Sequence, residues 1–241
     1  MTLRKYGHWF LAVSLVALAA AGVLRLNPPA AQAACKDSPA TGVDWSGCMK
    51  IRKLLGGAEL SRARLERATL SGSDFSNARL VGAVLDRADL TKARFADARM
   101  ENASLVKAFG MRTSLAGAML AGADLSKSEF YRTTFEGADL TGANLSKAQL
   151  VRANFRKARL GGAKFRFANL ARANFRGVSL DRVTFEGAYT YRLRIEGADL
   201  SRSIGLKQQQ IDLACGDRRT LLPAGLRRPA DWPCVFGDDP D

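Results

Sequence analysis

The chain has 241 residues, of which 47% are apolar and 25% are charged, and its formal net charge is +14. The apolar fraction is too high for a disordered tail, and the length suits one or two folded domains. The excess of cations favours a neutral or acidic partner and excludes a basic one. The single histidine, His8, precedes a long apolar run, so removal of that run also removes histidine catalysis and histidine metal sites.

Residues 1–33 are predicted to be a signal peptide. Arg4 and Lys5 precede the mostly apolar stretch 9–24, and Ala31-Gln32-Ala33 fits the small-x-small pattern of a cleavage site. The apolar stretch is shorter than the roughly 20 residues of a membrane-spanning helix, so retention as an anchor is the less favoured alternative. We therefore expect an exported protein, periplasmic or secreted. Cleavage would leave a formal charge of +11.

Four cysteines follow the predicted cleavage site: Cys35, Cys48, Cys215 and Cys234. An exported chain meets an oxidising compartment, where two local disulfides, Cys35 with Cys48 and Cys215 with Cys234, are the natural pairing. The sequence alone leaves three connectivities open. A zinc site formed by all four cysteines is the alternative, although neither pair has the spacing of about two to four residues that is usual for zinc.

The middle of the chain repeats every five residues. The central position of the repeat recurs thirty times from Leu55 to Leu200, and it is Leu in 18 repeats and Phe in eight. The position two residues before a central residue recurs thirty times from Ala58 to Ser203, and it is Ala in 22 repeats. A helix would scatter a five-residue repeat around its axis. In extended backbone, residues two apart share a face, so the Ala and the Leu or Phe point inward together and the remaining residues turn the chain. The sequence predicts a coil that stacks on itself.

The repeated units Ala123-Asp124-Leu125-Ser126, Ala138-Asp139-Leu140-Thr141-Gly142 and Ala143-Asn144-Leu145-Ser146-Lys147 resemble the signature of pentapeptide-repeat proteins. The resemblance implies an all-β fold, a right-handed quadrilateral β-helix with four pentapeptides, or about 20 residues, per coil. Residues 55–205 would then form about seven and a half coils. The columns support four sides, because five of the eight central phenylalanines recur twenty residues apart, at Phe75, Phe95, Phe135, Phe155 and Phe175.

Both ends of such a rod need covers, since an open β-helix exposes unpaired strand edges. Residues 34–54 are predicted to form an N-terminal cap closed by a disulfide, because Lys50 breaks the five-residue register. Residues 206–241 are predicted to form a short C-terminal capping helix and a disulfide loop. This C-terminal segment is similar to the tail of secreted bacterial pentapeptide-repeat proteins.

Cations are concentrated on two adjacent corners of the predicted coil, at the second residue after each central position. We call these columns the first and the second ladder, and together they are the candidate anion-binding site. The alternative is a solubilising surface without a ligand. The first ladder contains Lys92, Arg112, Arg132, Arg152, Arg172 and Arg192, and the second contains Arg67, Arg87, Lys107, Lys127 and Lys147.

A candidate partner patch lies beside the first ladder. The central positions Gly110 and Thr190 break the Leu/Phe rule on the same side of the coil, and large side chains flank both. Aromatic residues mixed with arginine are typical of interface hot spots. The alternative is a local bulge in which Phe109 or Tyr191 fills the space left by the small central residue. The patch consists of Phe109, Met111, Tyr131, Tyr189 and Tyr191.

The pattern as a whole predicts a non-catalytic binding scaffold with no cofactor, no metal and no catalytic residue. Its partner would be an acidic protein or an anionic polymer of the envelope, and association with a membrane surface is a further option. A purely structural or assembly protein is the alternative function. The resemblance also brings in a cytosolic branch of the family that mimics DNA and protects gyrase; its rods are acidic, so the basic charge and the signal peptide disfavour that role. Chromosomal DNA is not expected as a ligand of an exported protein. The oligomeric state stays open.

Overall fold

The computed structural model describes residues 35–234, so the predicted signal peptide lies outside the described residues. Each five-residue unit consists of a two-residue turn and a short extended segment that carries one isolated β-bridge. The bridges are parallel, and from Asp44 with Arg64 to Thr184 with Ile204 they join residues twenty apart. Four pentapeptides therefore make one coil, and the coil has the four sides predicted from the Phe column.

The backbone of each unit is satisfied by the coils on either side of it. The Leu65 N–H donates to the Val84 carbonyl in the next coil at 2.7 Å, and the Arg64 N–H donates to the Val43 carbonyl in the previous coil at 2.8 Å. Within a coil, the Ala68 N–H donates to the Leu65 carbonyl at 3.1 Å and closes the corner. Because buried backbone groups must be paired, the coil is stable only as a stack.

The core is a set of columns in which mostly apolar side chains, many of them alike, lie above one another. Phe135, Phe155 and Phe175 are fully buried, and their ring centroids are 4.7 and 4.6 Å apart along the column. Phe165 of the neighbouring side meets Phe155 edge-on at 5.7 Å. Stacked and edge-on rings both add attraction to the burial of apolar area. The inward columns predicted from the sequence are confirmed.

The carboxylates of the repeat signature hold the corners. The Asp124 carboxylate accepts a hydrogen bond from the Ser126 N–H at 2.8 Å, and Asp139 and Asp199 accept equivalent bonds from the residues two positions later. The Ser201 hydroxyl and N–H lower the pKa of Asp199, in spite of the opposing effect of its burial. These acids are therefore structural groups of the turn.

The coil begins earlier than the predicted boundary at residue 55. Asp44 bridges to Arg64 and Met49 bridges to Thr69, so the segment predicted as a cap already contains coil backbone. Lys50 keeps the register, and its ammonium group lies 3.9 Å from the ring centroid of the fully buried Trp45. A long cation fits at this inward position because it can cover the aromatic end of the core with its stem and reach water with its charge. The disulfide between Cys35 and Cys48 closes this end.

A single short helix, α1, covers part of the other end and spans Gln208–Asp212. It is inserted into the last coil, because pairing resumes after it with Arg194 bridged to Cys215 and Asp199 bridged to Leu221. The Gln210 side-chain amide donates to the carbonyls of Phe185 and Ala188 at 2.9 and 2.8 Å. The helix thus satisfies coil carbonyls that no further coil would reach.

The C-terminal loop is fixed to the coil by a disulfide and by one aromatic residue. Cys215 is bonded to Cys234, and the described residues contain no free cysteine. The Trp232 indole N–H donates to the Ala214 carbonyl at 2.7 Å, and its ring lies against Gly216, where a Cβ would overlap it. A glycine at position 216 is therefore required for the Trp232 ring to pack against the backbone there.

Asp217 ties this loop to the last coil, and we expect its effect on stability to depend on pH. Burial would raise its pKa, but the Gly197 N–H, the Arg219 side chain and the Thr220 hydroxyl bond to the carboxylate and lower the pKa to about 2. A lowered pKa means that the ionised group stabilises the folded state above about pH 4, and that this stabilisation is lost as the pH falls through about 2.

Asp217→Asn is accordingly expected to lower the free energy of unfolding by about 1–2 kcal/mol at neutral pH. The measurement is thermal unfolding of wild type and variant from neutral pH down to about pH 2. The difference should shrink at the acidic end, while Asp231→Asn, an exposed aspartate of the same loop, should change little throughout. A difference that stays constant down to the lowest pH would contradict this account.

Candidate anion-binding face

The two ladders border one side of the rod. This side has the inward column Leu70, Leu90, Gly110, Phe130, Leu150, Leu170 and Thr190, and we call its outer surface the aromatic face. In each coil the chain passes a second-ladder residue, crosses the face and reaches a first-ladder residue, as from Lys107 to Arg112. The extended segment between the ladders is three residues long, which separates them by roughly 10 Å.

The ladder residues occupy a backbone conformation that normally favours glycine. All eleven have positive φ, for example 55° at Arg112 and 59° at Lys127. This left-handed region costs an L residue about 1 kcal/mol or more relative to glycine. Glycine and asparagine hold the same position on the other corners, as at Gly142 and Asn102. The cations therefore occupy positions at which Gly or Asn would have a lower conformational cost.

Most arginines directly before or after a central residue are paired with a carboxylate, in many cases one from the adjacent coil. Arg79 pairs with Glu59 at 2.9 Å, and Arg166 pairs with Glu186 at 2.8 Å, in each case between residues twenty apart. Such pairs come from the positions just before or just after the central residue. The stacking of the coils thus removes the charge of these scattered arginines locally.

Most ladder cations lack this neutralisation. Within residues 35–234, nine of the eleven have no carboxylate oxygen within 4.0 Å of a side-chain nitrogen, whereas Arg152 and Arg172 do have partners. Nine cations without a carboxylate partner therefore line the two edges of one face, although others, such as Arg156, Lys164 and Arg228, lie elsewhere on the described chain. The nine are Arg67, Arg87, Lys92, Lys107, Arg112, Lys127, Arg132, Lys147 and Arg192.

The predicted partner patch lies on this face but is divided into two groups. Tyr189 and Tyr191 are 50% and 39% exposed, and their rings stack with centroids 6.3 Å apart. Tyr131 lies three coils away, about 14 Å along the axis. Burial and the Glu129 carboxylate raise the pKa of Tyr131, so its phenol is neutral at physiological pH. Phe109 and Tyr131 are half-buried and Met111 is exposed, so the five residues do not form one continuous patch.

The alternative explanation of the patch, a bulge filled by Phe109 or Tyr191, is wrong for both irregular positions. A Cβ on Gly110 would overlap the ring of Phe130, which belongs to the next coil of the same inward column. Thr190 donates its hydroxyl proton to the Gln210 carbonyl at 2.7 Å and so holds α1 against the coil. Neither small central residue leaves a space for a side chain from outside.

The structure adds residues that the sequence argument missed. Arg52 has φ 52° and its side chain lies over Gly72, so it adds a cation to the first ladder column two coils before Lys92. Phe167 continues the second ladder column, with φ 55° and an exposed fraction of 53%, and its ring lies over Gly187. The signal for both was present in the twenty-residue columns.

Large exposed apolar side chains are concentrated on the same side. Among residues 35–234, six of the eleven such side chains lie on the aromatic face or at its corner: Met49, Ile51, Met111, Phe167, Tyr189 and Tyr191. The outward positions of the face include only two carboxylates, those of Asp89 and Glu129. This side is therefore both less acidic and more apolar than the others.

The described residues contain no cluster of His, Cys, Asp and Glu side chains that could hold a metal ion. No helix among them is sufficiently long and apolar to cross a membrane.

The fold and the face define the class of protein as a four-sided solenoid with its charge arranged in columns. A family model of the pentapeptide repeat region matches residues 110–185, and a model of pentapeptide repeats in eight copies matches 58–95, 70–106 and 168–204. The two models together cover more than half of the chain. The chain belongs to the pentapeptide-repeat family, as its signature predicted.

Several solved pentapeptide-repeat structures are similar to the chain. Full-length QnrB1, a plasmid-mediated fluoroquinolone resistance protein, is 19% identical over 70% of this chain and 93% of its own, with a TM-score of 0.40. HetL, which is involved in heterocyst differentiation regulation in the cyanobacterium Nostoc sp. strain PCC 7120, is 26% identical over 82% and 90%, with a TM-score of 0.32. A protein of the Arabidopsis thaliana thylakoid lumen is 26% identical over 64% and 79%, with a TM-score of 0.17. No curated protein sequence matches the chain significantly.

Proposed function

We propose that the protein is an exported, non-catalytic scaffold that binds an acidic or anionic partner through the two ladders. The observation that carries this proposal is the contrast between paired and unpaired cations. Eight of the nine arginines directly before or after a central residue meet a carboxylate, with Arg156 as the exception, whereas nine ladder cations meet none among residues 35–234. An anion bound along the ladders would supply the missing counter-charge.

Two energetic terms oppose the ladders in the absence of a ligand. Like charges stacked about 4.8 Å apart repel each other by roughly 1 kcal/mol per pair even in water, although salt screens them. The left-handed backbone adds a conformational term at each position. The repulsion disappears if Gly or Asn replaces the cation, and the conformational term disappears with Gly and is smaller with Asn. A polyanion offsets the repulsion.

Export is supported by two further features. The N-terminal segment has the pattern of a signal peptide, and the two disulfides suit an oxidising compartment. In such a compartment the partner would be an acidic protein or an anionic component of the envelope. Chromosomal DNA does not fit an exported location, and mimicry of DNA by an acidic rod fits neither that location nor the positive charge.

The test is retention of the mature chain on immobilised heparin as a model polyanion, with elution by salt. A ladder variant replaces four cations by asparagine, which already occupies the same backbone conformation at Asn77 and Asn102. Because each lost phosphate-like contact reduces the salt dependence by about one unit of log–log slope, the variant should elute at clearly lower salt than wild type. The substitutions are Arg112→Asn, Lys127→Asn, Arg132→Asn and Lys147→Asn.

The matched control removes four cations from the other two corners and leaves both ladders intact. It should elute close to wild type apart from the general effect of the lower net charge. Equal elution of the ladder variant and the control would overturn the proposal and favour a purely structural role. The control substitutions are Arg62→Asn, Lys157→Asn, Arg182→Asn and Arg202→Asn.

A further inference from the structure

We propose that the anionic partner is the surface of a lipid bilayer and that the rod lies on it with the aromatic face down. This inference rests on the proposed function, because it identifies the anions that the ladders meet as lipid head groups. The arguments are the planarity of the charge array, the kind of side chains between the ladders and the small number of acids on the face.

The cations form a two-dimensional array. The first ladder alone extends over five coil steps from Lys92 to Arg192, about 24 Å at a stacking distance of roughly 4.8 Å, and the second ladder runs beside it at roughly 10 Å. A linear polymer that follows one ladder leaves the other uncompensated. A planar surface with many mobile head groups meets both ladders at once.

The side chains between the ladders are those that favour the boundary between lipid and water. Tyr189 and Tyr191 are stacked and partly exposed, and the Arg192 guanidinium lies 5.5 Å from the Tyr191 ring centroid. Phe167 projects from the corner next to them with its backbone in the strained left-handed region. Tyrosine rings with a polar tip belong at the head-group level, and arginine beside them binds phosphate.

The distribution of charge and apolar area also favours a bilayer over an acidic protein. Membrane attraction sums over every cation near the surface, at about 1 kcal/mol for each. Asp89 and Glu129 are the two acids at outward positions of the face, and the Asp89 carboxylate is already occupied by the Ser71 hydroxyl at 2.6 Å. The face therefore presents a row of cations along each edge of a mixed strip of polar, aromatic and apolar side chains, and this arrangement needs no matching pocket in its partner.

The experiment is sedimentation of the mature chain with vesicles made of equal parts of phosphatidylglycerol and phosphatidylcholine, and with vesicles of phosphatidylcholine alone. Wild type should bind the anionic vesicles and not the neutral ones. Tyr189→Ser/Tyr191→Ser should bind the anionic vesicles about tenfold more weakly, because it removes apolar area from the contact. The matched control, Leu54→Ser/Met119→Ser, removes two exposed apolar side chains from other sides and should bind like wild type.

Heparin retention separates this inference from the proposed function. The tyrosine variant should elute from heparin as wild type does, since both ladders are intact. Binding to heparin without binding to anionic vesicles would overturn the membrane inference and leave a soluble acidic partner. Equal vesicle binding by the tyrosine variant and wild type would also overturn it. If wild type binds neither heparin nor anionic vesicles, the proposed function itself is overturned.

A fluorescent probe tests the orientation directly. Tyr189→Trp places an indole on the aromatic face, and Met119→Trp places one on another side of the rod. Trp45 and Trp232 emit in every variant, so the measured quantity is the emission that each new indole adds to theirs. In brominated anionic vesicles the emission added by Tyr189→Trp should be quenched more strongly than the emission added by Met119→Trp. Equal quenching at the two positions would contradict contact through the aromatic face.

Discussion

Replacing Phe155 by alanine is expected to lower the free energy of unfolding by about 4 kcal/mol. The Phe155 ring is fully buried and stacks between Phe135 and Phe175, with centroid distances of 4.7 and 4.6 Å. Truncation removes the apolar contact area and both stacking partners, and it leaves a cavity that two neighbouring rings border. The hydrogen bonds between coils hold the backbone at a fixed spacing, so the column has little freedom to collapse into the gap.

The measurement is urea denaturation of wild type and variant, followed by circular dichroism. Phe167→Ala is the matched control, because it is the same chemical change at a side chain that is 53% exposed. We expect that control to change stability by less than about 0.5 kcal/mol. Similar losses for the buried and the exposed phenylalanine would show that the stacked column does not stabilise the rod as described.

Gly110→Leu, which restores the leucine that the repeat favours, is expected to destabilise the protein by about 3 kcal/mol. The glycine lies in an inward column beneath Phe130, and even a Cβ at this position would overlap the Phe130 ring. The coil spacing prevents the ring from moving along the axis, so a leucine forces neighbouring side chains out of their preferred rotamers. A change toward the consensus is thus harmful here.

The second half of this experiment is the compensating substitution. Phe130→Leu alone should also destabilise, since it opens a gap next to Gly110, but Gly110→Leu/Phe130→Leu should recover most of the stability that either single variant loses. Urea denaturation of the four proteins completes a double-mutant cycle. Additive losses in the double variant would mean that the two positions do not share one space.

The regular part of the fold could be predicted from the sequence because every five-residue unit places the same two positions inward. Once Leu65 and Ala68 point inward, the five-residue period fixes the corners, and the Phe column fixes twenty residues per coil. The exceptions were less accessible. Gly110 is explained mainly by Phe130, one coil away, and also by the Thr113 hydroxyl, which a Cβ would overlap too. The period alone does not say which of two neighbouring residues fills a shared space.

The ends were predicted least well, because there the coil no longer supplies neighbours on both sides. Lys50 broke the sequence pattern but not the backbone, since an inward side chain beside Trp45 can still reach water. At the other end, α1 was expected beyond the last coil, yet it is inserted before Cys215 and the coil pairing resumes after it. The sequence spacing predicted the position of the helix but not that the chain pairs with the coil again after it.

The candidate site was predictable in position but not in charge balance. The ladders follow from the five-residue register, and the residues that belong to each ladder follow from the spacing of twenty residues between coils. Which arginines are neutralised depends on the residue twenty positions away, as for Arg79 above Glu59. Phe167 was overlooked because an aromatic residue in a cationic column reads as an interruption, although Gly187 in the next coil leaves room for its ring.

The twenty-residue spacing of the bridges has a consequence for how this surface can change in length. Insertion or deletion of one full coil, such as the segment from Arg112 to Tyr131, keeps every later residue in its column and alters the face by one cation at each edge. A change of five residues instead turns all later columns by one side and splits the ladders between different faces. The length of the charged face can therefore change only by whole coils of twenty residues, and each added or removed coil leaves the side-chain columns of the others unchanged.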